Sequence, residues 1–231
     1  MPLNQYQQEV GPSLVDATPG KVPDITLLDG RYCSVEHLTV AEHYEDILDF
    51  YFTNQILSDW TYMYADPFES EEAVRQCLED YEQSSNPYFF AIRDKVSGKV
   101  LGTFSLMAIT PKNRSVEMGR VILAPAIQKT RVATEAQYLV MKYVFEGLNY
   151  RRYEWKCDSL NRPSVTAAQR LGFTYEGCFR NHAIYKGRSR NTDWFSIIDS
   201  EWPVLKKRFE NWLSPENFDE QGQQKRSLRD C

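Results

Sequence analysis

The chain has 231 residues, 42% of them hydrophobic and 13% aromatic, and a formal net charge of −5. That length and composition suit one globular domain with a full core and exclude a disordered chain. The acidic balance disfavours nucleic acid as a partner and makes an amine-bearing partner the better electrostatic match.

The sequence also has no apolar run near the roughly 20 residues that span a bilayer, and its start does not resemble a signal peptide. We therefore expect a cytoplasmic protein that does not interact with membranes. Five cysteines and three histidines are scattered along the chain. Their spacing fits neither a disulfide framework nor a zinc site, so no metal is expected.

The first predicted elements are strands and helices of modest length. Residues 1–24 show little hydrophobic periodicity and are predicted to form a flexible arm before a single domain, residues 25–213. Alternation around Gly30 indicates a strand or hairpin within residues 25–40. A helix is predicted from Thr39, and a second one runs from about Ser70 to Gln83. Ser70 is a good N-cap for the second helix.

Three strands follow Pro87, over residues 87–94, 98–109 and 115–123, and turn residues between them indicate an antiparallel meander. Next come a periodic helix, an alternating strand at residues 151–158, a short helix, a hairpin over residues 173–198 and a closing helix. Strands that a helix connects lie parallel. The order predicts an α+β fold, and the C-terminal segment, residues 214–231, is predicted to be disordered because it can bury little.

The junction between the strand at residues 115–123 and the following helix has a chemical use. The first turn of a helix carries backbone N–H groups without partners and the positive end of the macrodipole. Two cations and two hydroxyls stand in the loop before this helix, at Lys129, Arg131, Thr130 and Thr134. The loop therefore suits a diphosphate, although basic loop residues can also be merely solvated.

This loop resembles the acetyl-coenzyme A site of the Gcn5-related N-acetyltransferase (GNAT) superfamily, whose signature is Q/R-x-x-G-x-G/A. Gln128 and Ala133 match the pattern, and Arg131 stands where the middle glycine usually lies. Arg131 must then keep helical dihedrals or bind phosphate itself. The run from residues 149–180 through TDWFSIIDSEWP, residues 192–203, resembles the RimJ/RimL-type branch, which acetylates protein N-termini and small amines. The resemblance covers about residues 28–202 and implies a mixed, mostly antiparallel central sheet flanked by helices, with splayed fourth and fifth strands.

The same resemblance implies acetyl-CoA as co-substrate. The pantetheine chain is expected to pair with the backbone of the fourth strand, with the oxyanion near the Val121 amide. Asn161 is expected to hydrogen-bond the pantetheine, and Arg170 to approach the phosphates. The full set of expected cofactor-binding residues is Val121, Ile122, Leu123, Gln128, Lys129, Thr130, Arg131, Val132, Ala133, Thr134, Asn161 and Arg170.

Three residues are candidates for proton transfer. Glu117 lies in an otherwise apolar strand, where a carboxylate is costly unless it lines a cleft or has a partner. Its position resembles a general base in relatives; the alternative is a pair with Arg114 or Arg120. Ser164 and Tyr185 are candidate acids for the leaving thiolate, and Ser164 would otherwise cap a helix. No Cys–His arrangement suggests a covalent intermediate.

The acceptor site is expected between the first two helices, where Trp60, Tyr62, Tyr64 and Asp66 would form an aromatic wall with a carboxylate. Core filling is the alternative for these aromatics. The predicted function is N-acetylation of a primary amine, on a peptide or a small molecule, by direct attack in a ternary complex. A non-catalytic acyl-CoA-binding module is the second hypothesis, motivated by Arg131. Monomer and homodimer both remain open.

Overall fold

The computed structural model describes residues 1–231. Its strands are β1 (Leu27–Asp29), β2 (Cys33–His37), β3 (Tyr88–Asp94), β4 (Val100–Thr110), β5 (Ser115–Leu123), β6 (Arg152–Asp158), β7 (Thr174–Tyr185) and β8 (Arg188–Ile198). Its helices are α1 (Val40–Leu48), α2 (Glu71–Gln83), α3 (Arg131–Lys142), α4 (Arg162–Leu171) and α5 (Trp202–Leu213). Single π-helical turns extend α1 and α3.

All eight strands form one sheet in the order β1-β2-β3-β4-β5-β6-β8-β7. Neighbouring strands are antiparallel except for β5 and β6, which the α3 crossover connects in parallel. The predicted hairpin in residues 25–40 is β1 and β2, so the strands predicted as fourth and fifth are β5 and β6. The expected α+β fold, with a mixed and mostly antiparallel sheet, is confirmed.

Alternating side chains of the central strands divide the core between two faces of the sheet. On β3, Phe90 and Ile92 join a cluster of 34 buried residues that includes side chains of α3, α4 and α5. Phe89 and Ala91 point to the other face and join a cluster of 12 buried residues that includes side chains of α1 and α2. Helices therefore cover both faces of this part of the sheet.

The parallel strands β5 and β6 pair over only part of their length. Their register runs from Ser115 opposite Arg152 to Met118 opposite Trp155. Beyond these residues β5 continues to Leu123 and β6 to Asp158 without pairing to each other. The expected splay is present, and it leaves backbone groups of β5 facing a gap.

The C-terminal segment corrects one expectation, because residues 214–231 are folded against the domain rather than disordered. Two 3-10 turns, Pro215–Asn217 and Leu228–Asp230, frame a bridge between Phe218 and Gln224. The side chains of Phe218 and Leu228 are buried in the larger core. The sequence rule failed because a few apolar side chains are enough to dock a polar segment onto an existing core.

The N-terminal arm, residues 1–24, lies largely on the surface, although parts of it contact the domain. The Arg114 side chain donates a hydrogen bond to the carbonyl oxygen of Asp16, at 2.7 Å. The backbone N–H of Gly20 donates to the carbonyl oxygen of Pro111, at 3.0 Å. Gly20 lies so close to the ring of Tyr150 that a Cβ there would stand 2.5 Å from it.

Candidate active site

The β5–α3 junction presents unpaired backbone donors. Helix α3 begins at Arg131 after Thr130, whose hydroxyl donates to the Ile127 carbonyl oxygen and does not cap the helix. The backbone N–H groups of Arg131, Val132 and Ala133 therefore have no hydrogen-bond acceptor within the protein. Free amides at the positive end of a helix dipole form an anion site.

Two flanking residues shape the loop that leads into these amides. Gln128 donates a hydrogen bond from its side-chain amide to the Leu123 carbonyl oxygen, at 3.0 Å, which ties the loop to the end of β5. Lys129 has a φ of 62°, in the left-handed region that non-glycine residues rarely adopt. The backbone turn that glycine would ease thus lies at Lys129, where the ammonium is exposed.

Arg131 keeps helical dihedrals, which is the first of its two expected alternatives. Its guanidinium carbon lies 4.6 Å from the ring centroid of Tyr32 and 5.3 Å from that of Phe218. These cation–π contacts direct the side chain onto the β1–β2 turn and the C-terminal segment. Arg131 therefore leaves the amides of the first turn uncovered.

A residue of α4 also supports the first turn of α3. Arg170 of α4 donates a hydrogen bond to the Thr134 hydroxyl, at 3.1 Å, and its guanidinium packs 5.0 Å from the ring centroid of Trp212. Burial lowers the pKa of Arg170 from its ordinary value. Thr134 itself is 3% exposed and bonds back to the Thr130 carbonyl oxygen. Both residues position the turn, and Arg170 brings a cation to it.

On the gap side, β5 is irregular where the pantetheine is expected. Arg120 has a φ of 51°, and the pairing with β4 shifts register between Gly119 and Ile122. This bulge re-aims the backbone of Val121, and Val121, Ile122 and Leu123 are all half-buried. Across the gap, Asn161 caps α4 by accepting the Ser164 N–H at 3.2 Å. The amide nitrogen of Asn161 has no partner and is free to donate.

Glu117 points into a charged network on β5 and β6. The Lys156 ammonium lies 2.9 Å from Glu117 Oε2 and 2.8 Å from Glu154 Oε2. Neither Arg114 nor Arg120, the expected alternatives, pairs with Glu117: Arg114 contacts Asp16 and Arg120 contacts Tyr81. The Oε1 atom of Glu117 accepts no hydrogen bond from the protein and is not sealed from solvent.

This network sets the protonation of Glu117. Burial raises the pKa of the Glu117 carboxyl above its ordinary value, and Lys156 limits the rise. Although burial lowers the pKa of Lys156, the two carboxylates together raise it. The pKa values of both groups are raised. Lys156 is stabilised as a cation by two carboxylates, whereas Glu117 has only a cation that it shares with Glu154. A carboxylate with a raised pKa is a better proton acceptor.

The Ser164 hydroxyl is oriented by an indole. Trp155 Nε1 donates to Ser164 Oγ at 2.9 Å, so the hydroxyl hydrogen of Ser164 remains available for donation. The helix cap is Asn161 and not Ser164. The neighbouring thiol of Cys157 is buried, and burial raises its pKa to about 11. Ser164 is therefore a free donor beside an unreactive thiol.

Tyr185 is committed to a different partner. Its hydroxyl donates to Asp158 Oδ2 at 2.9 Å, where β6 ends. Burial and this carboxylate raise the pKa of Tyr185 to about 12. Such a phenol is a weaker acid than an ordinary tyrosine, and its proton is already engaged. Asp158, which is 3% exposed, was missed in the sequence because it ends an alternating strand like any polar residue.

The connection between α1 and α2 contacts the β7–β8 hairpin through Tyr64 and Asp66. The residues expected to form the acceptor site differ in how deeply they are buried. Trp60 is 4% exposed and packs edge-on against Tyr51 and Phe68, so core filling accounts for it. Tyr64 is exposed, and its ring centroid lies 5.5 Å from that of Tyr185.

Tyr62 and Asp66, the other two residues expected at the acceptor site, also differ in their surroundings. Tyr62 is half-buried. Asp66 forms an ion pair with Lys186 at 3.2 Å, so its charge is already balanced. The carboxylate expected beside the aromatic wall therefore has a cationic neighbour. Sequence reasoning could not find Lys186, which approaches from the hairpin tip 120 residues later in the chain.

Arg190 is a second residue that sequence reasoning missed. It is 7% exposed, and its guanidinium carbon lies 5.0 Å from the ring centroid of Tyr64 and 5.7 Å from that of Tyr185. The only signal was its place in the hairpin sequence GRSRN, where neighbouring Arg188 is exposed. Arg188 and Arg190 are two residues apart, so alternation alone would give them the same face. Arg190 differs because it lies beside the register shift between Phe179 and Ala183 and is covered by Tyr64 and Tyr185, which a sequence alone does not specify.

Two further observations bound the chemistry of the molecule. No group of three or more His, Cys, Asp or Glu side chains is placed to hold a metal ion. None of the helices combines the length and apolar character needed to cross a bilayer.

Comparisons with known proteins agree with this geometry. A family model described as "Acetyltransferase (GNAT) domain" matches residues 37–174. The crystal structure of a GCN5-related N-acetyltransferase from Brucella melitensis is 42% identical, with a TM-score of 0.91 over 94% of this chain and 98% of that chain.

Two curated proteins are more distant relatives. The uncharacterized N-acetyltransferase p20 of Bacillus licheniformis is 29% identical over 61% of this chain and 80% of that protein. The spermidine N(1)-acetyltransferase of Escherichia coli strain K12 is 24% identical over 61% of this chain and 74% of that protein.

Proposed function

Because the chain belongs to the GNAT family of N-acetyltransferases, we propose that it transfers the acetyl group of acetyl-CoA to a primary amine by direct attack in a ternary complex. Members of this family use acetyl-CoA as co-substrate. The observation that carries the proposal is Glu117, whose Oε1 is unpartnered on β5, beside the point where β5 and β6 separate. A carboxylate there is available to take the proton of an attacking ammonium.

The donor side of the proposal rests on the β5–α3 junction. The amides of Arg131, Val132 and Ala133 would hold the diphosphate, with Lys129 and Arg170 as nearby cations. The amide and carbonyl groups along Val121, Ile122 and Leu123 would pair with the pantetheine. Asn161 would donate to the pantetheine from its unpartnered amide nitrogen. Since the Arg131 side chain packs on Tyr32 and Phe218, its departure from the glycine pattern does not block this site.

The chemical step begins with a proton. An alkylammonium of pKa about 10 must lose one before its nitrogen can attack. Glu117 accepts that proton, and the amine nitrogen then attacks the thioester carbon. The tetrahedral oxyanion would be stabilised by a main-chain N–H near Val121. Collapse of the intermediate breaks the carbon–sulfur bond and releases CoA as a thiolate. The nitrogen loses its second proton as the amide forms, and this proton would pass through a hydroxyl to the thiolate sulfur, while Glu117 returns the first proton to solvent.

Ser164 is the better candidate to protonate that thiolate. Its hydroxyl accepts from Trp155 and keeps its own hydrogen for donation. Tyr185 instead donates to Asp158, which raises its pKa to about 12 and makes proton release less favourable. We therefore assign Ser164 as the acid and Tyr185 as a residue of the acceptor cleft, next to Tyr64.

A covalent acetyl-cysteine route is disfavoured by burial. Cys157 is the cysteine beside Ser164, and its pKa is raised to about 11, so it is a thiol rather than a thiolate near neutral pH. Direct attack in a ternary complex requires no such nucleophile. The acceptor is proposed to be a primary amine on a peptide N-terminus or on a small molecule, and the place of action the cytoplasm. The distant relative from Escherichia coli is named for spermidine, which belongs to the small-molecule class.

Calorimetry and steady-state kinetics test the proposal together. We expect saturable binding of acetyl-CoA that 3′,5′-ADP alone reproduces only weakly, because the pantetheine arm pairs with β5. With an amine acceptor, initial-rate plots against acetyl-CoA should intersect, as a ternary complex requires. Parallel lines would indicate an acetyl-enzyme, and acetyl-CoA binding without thiol release for any amine would support the non-catalytic binding module.

A further inference from the structure

Arg190 is a buried cation without an anion. It is 7% exposed, and no carboxylate oxygen lies within the 4.0 Å that defines an ion pair. Its Nε donates to the Thr192 hydroxyl at 3.1 Å, which uses one of five N–H groups. Neither terminal nitrogen has a hydrogen-bond partner, and neither is sealed from solvent. Buried arginines are normally paired because an isolated charge is costly to desolvate.

The acids around Arg190 are already engaged by other groups. Glu117 and Glu154 share the Lys156 ammonium, and Asp66 pairs with Lys186. Asp158 accepts hydrogen bonds from the Tyr185 hydroxyl and the Leu160 N–H. Asp158 is thus held by neutral donors, and of the cations named here only Arg190 has no carboxylate within ion-pair distance.

The direction of the Arg190 fork is fixed by aromatic rings. The rings of Tyr64 and Tyr185 pack against the guanidinium, and Thr192 holds its Nε. The two terminal nitrogens of Arg190 carry N–H groups without partners, and a carboxylate can accept two such groups through parallel hydrogen bonds. Tyr64 belongs to the α1–α2 connection, so the fork lies where the acceptor is proposed to bind.

We infer that the acceptor carries a carboxylate in addition to its amine, and that Arg190 binds this carboxylate while the amine lies toward Glu117. The inference rests on the proposed function and narrows its substrate to amino-acid-like amines. A polyamine would instead place an ammonium against the Arg190 guanidinium, which has no carboxylate partner of its own, and like-charge repulsion disfavours that contact. Arg190 is thus a specificity-determining residue.

The Glu117 carboxyl lies within the electrostatic influence of Arg190. Burial raises the pKa of Glu117, and Lys156 and, more weakly, Arg190 lower it, so the guanidinium acts on the carboxyl from within the same cleft. An acceptor that spans the two groups would have its carboxylate and its ammonium each opposite a group of the other sign.

The test compares amines that differ only by a carboxylate. The pairs are phenylalanine and 2-phenylethylamine, ornithine and putrescine, and lysine and 1,5-diaminopentane, with spermidine as a further acceptor. The kcat/KM of each is measured for the wild-type chain, Arg190→Gln, Arg190→Lys and the control Arg188→Gln, which changes an exposed arginine on the same strand. The preference of each protein is the kcat/KM of the carboxylate member divided by that of its partner. Dividing the wild-type preference by that of Arg190→Gln cancels the intrinsic difference in amine pKa.

We expect the wild-type preference for the carboxylate member to exceed that of Arg190→Gln by about 10- to 100-fold, as for a charge-assisted bidentate contact. The change should lie mainly in the acceptor KM, with Arg190→Lys intermediate, Arg188→Gln unchanged and acetyl-CoA affinity unaltered. Thermal unfolding and acetyl-CoA calorimetry establish that each variant is folded.

Acetylation of both members of each pair with equal preference in wild type and Arg190→Gln would overturn the inference and leave the proposed function standing. Absence of acetyl-CoA binding would remove the proposed function itself. If no acceptor of the panel turns over, calorimetry of the CoA complex with Nα-acetyl-lysine and N-acetyl-1,5-diaminopentane decides. Binding of the first alone, lost in Arg190→Gln, supports the inference, and equal or undetectable binding of both overturns it.

Discussion

At the scale of single residues, Lys156 decides how strong a base Glu117 can be. Its ammonium bridges Glu117 and Glu154 and also lies 3.9 Å from the ring centroid of Trp194. These contacts fix its position on the strand next to the proposed base. Burial raises the pKa of Glu117, and the Lys156 cation opposes that rise.

Replacement Lys156→Met tests this control through the pH dependence of activity. Glu117 accepts a proton only when it is ionised, so kcat/KM falls as the pH drops through its pKa. Removing the cation that lowers this pKa should move the acid limb to higher pH. The profile of Lys142→Met, which changes an exposed lysine on α3, should match the wild type. An unmoved or acid-shifted limb in Lys156→Met would contradict the coupling.

The proposed acid can be separated from Tyr185 by a pair of conservative changes. Ser164→Ala removes the free hydroxyl donor and should lower kcat by about 10- to 100-fold, a modest general-acid effect because a thiolate already leaves readily. Tyr185→Phe should change kcat by no more than about threefold, since its proton is engaged by Asp158. Both variants should bind acetyl-CoA like the wild type in calorimetry. The reverse order of the two kcat effects would assign the acid role to Tyr185.

At the scale of elements, the coenzyme helix α3 is fixed to the first hairpin by one carboxylate. Glu135 is 5% exposed and accepts backbone N–H groups from Arg31 at 2.8 Å, Tyr32 at 2.6 Å and Cys33 at 2.9 Å. Gly30 makes room for it, because a Cβ there would lie 2.6 Å from Glu135 Oε2. The turn between β1 and β2 thus fixes the position of α3 relative to the sheet, and the first turn of α3 is proposed to bind phosphate.

Loss of this carboxylate should destabilise the fold. Glu135→Ala leaves three backbone donors without their charged acceptor, and we expect the free energy of unfolding to fall by about 2 to 4 kcal/mol. Urea denaturation measures the loss, and Lys142→Ala on the same helix should stay within about 0.5 kcal/mol of the wild type. Equal stabilities for Glu135→Ala and Lys142→Ala would show that the turn is held by other contacts.

Hydrophobic periodicity was sufficient to predict most strands and helices, because the pattern of each element lies within its own short stretch of sequence. Ser70 caps α2 through a 3.1 Å hydrogen bond from the Ala73 N–H, as its residue type predicts. Long-range partners follow from register instead. The pairing of Glu117 with Lys156 depends on Glu117 lying opposite Glu154 across a parallel pair, which no local pattern records. For the same reason the sequence does not distinguish Glu135 from other charged helix residues.

At the scale of the whole molecule, the C-terminal segment closes the structure around α3. Trp212 Nε1 donates to the Gln224 side chain at 2.8 Å, and Asn217 donates to the Trp212 and Arg226 carbonyl oxygens. Phe218 packs edge-on against Trp212 and also contacts the Arg131 guanidinium. The segment therefore completes the larger core next to α5 and the start of α3. Composition alone missed this, because only a few of its side chains carry the packing.

Removing the Phe218 ring should weaken both the core and the Arg131 contact. We expect Phe218→Ala to cost about 2 to 4 kcal/mol, at the lower end of buried aromatic truncations because the residue lies near the surface. Calorimetric unfolding should show a clear decrease in Tm, whereas Val204→Ala, a change of an exposed α5 residue, should leave it nearly unchanged. An unchanged Tm for Phe218→Ala would mean that the segment contributes no stability to the domain.

The account as a whole requires that Glu117 act in chemistry and not in coenzyme binding. The decisive measurement is the rate of thiol release from acetyl-CoA by Glu117→Gln, with acetyl-CoA affinity measured on the same preparation. The prediction is a kcat lower by about 10²- to 10³-fold with acetyl-CoA affinity unchanged, while Glu154→Gln, which removes the other partner of Lys156, retains most of the activity. Full activity in Glu117→Gln, or a loss explained by weaker acetyl-CoA binding, would contradict the account.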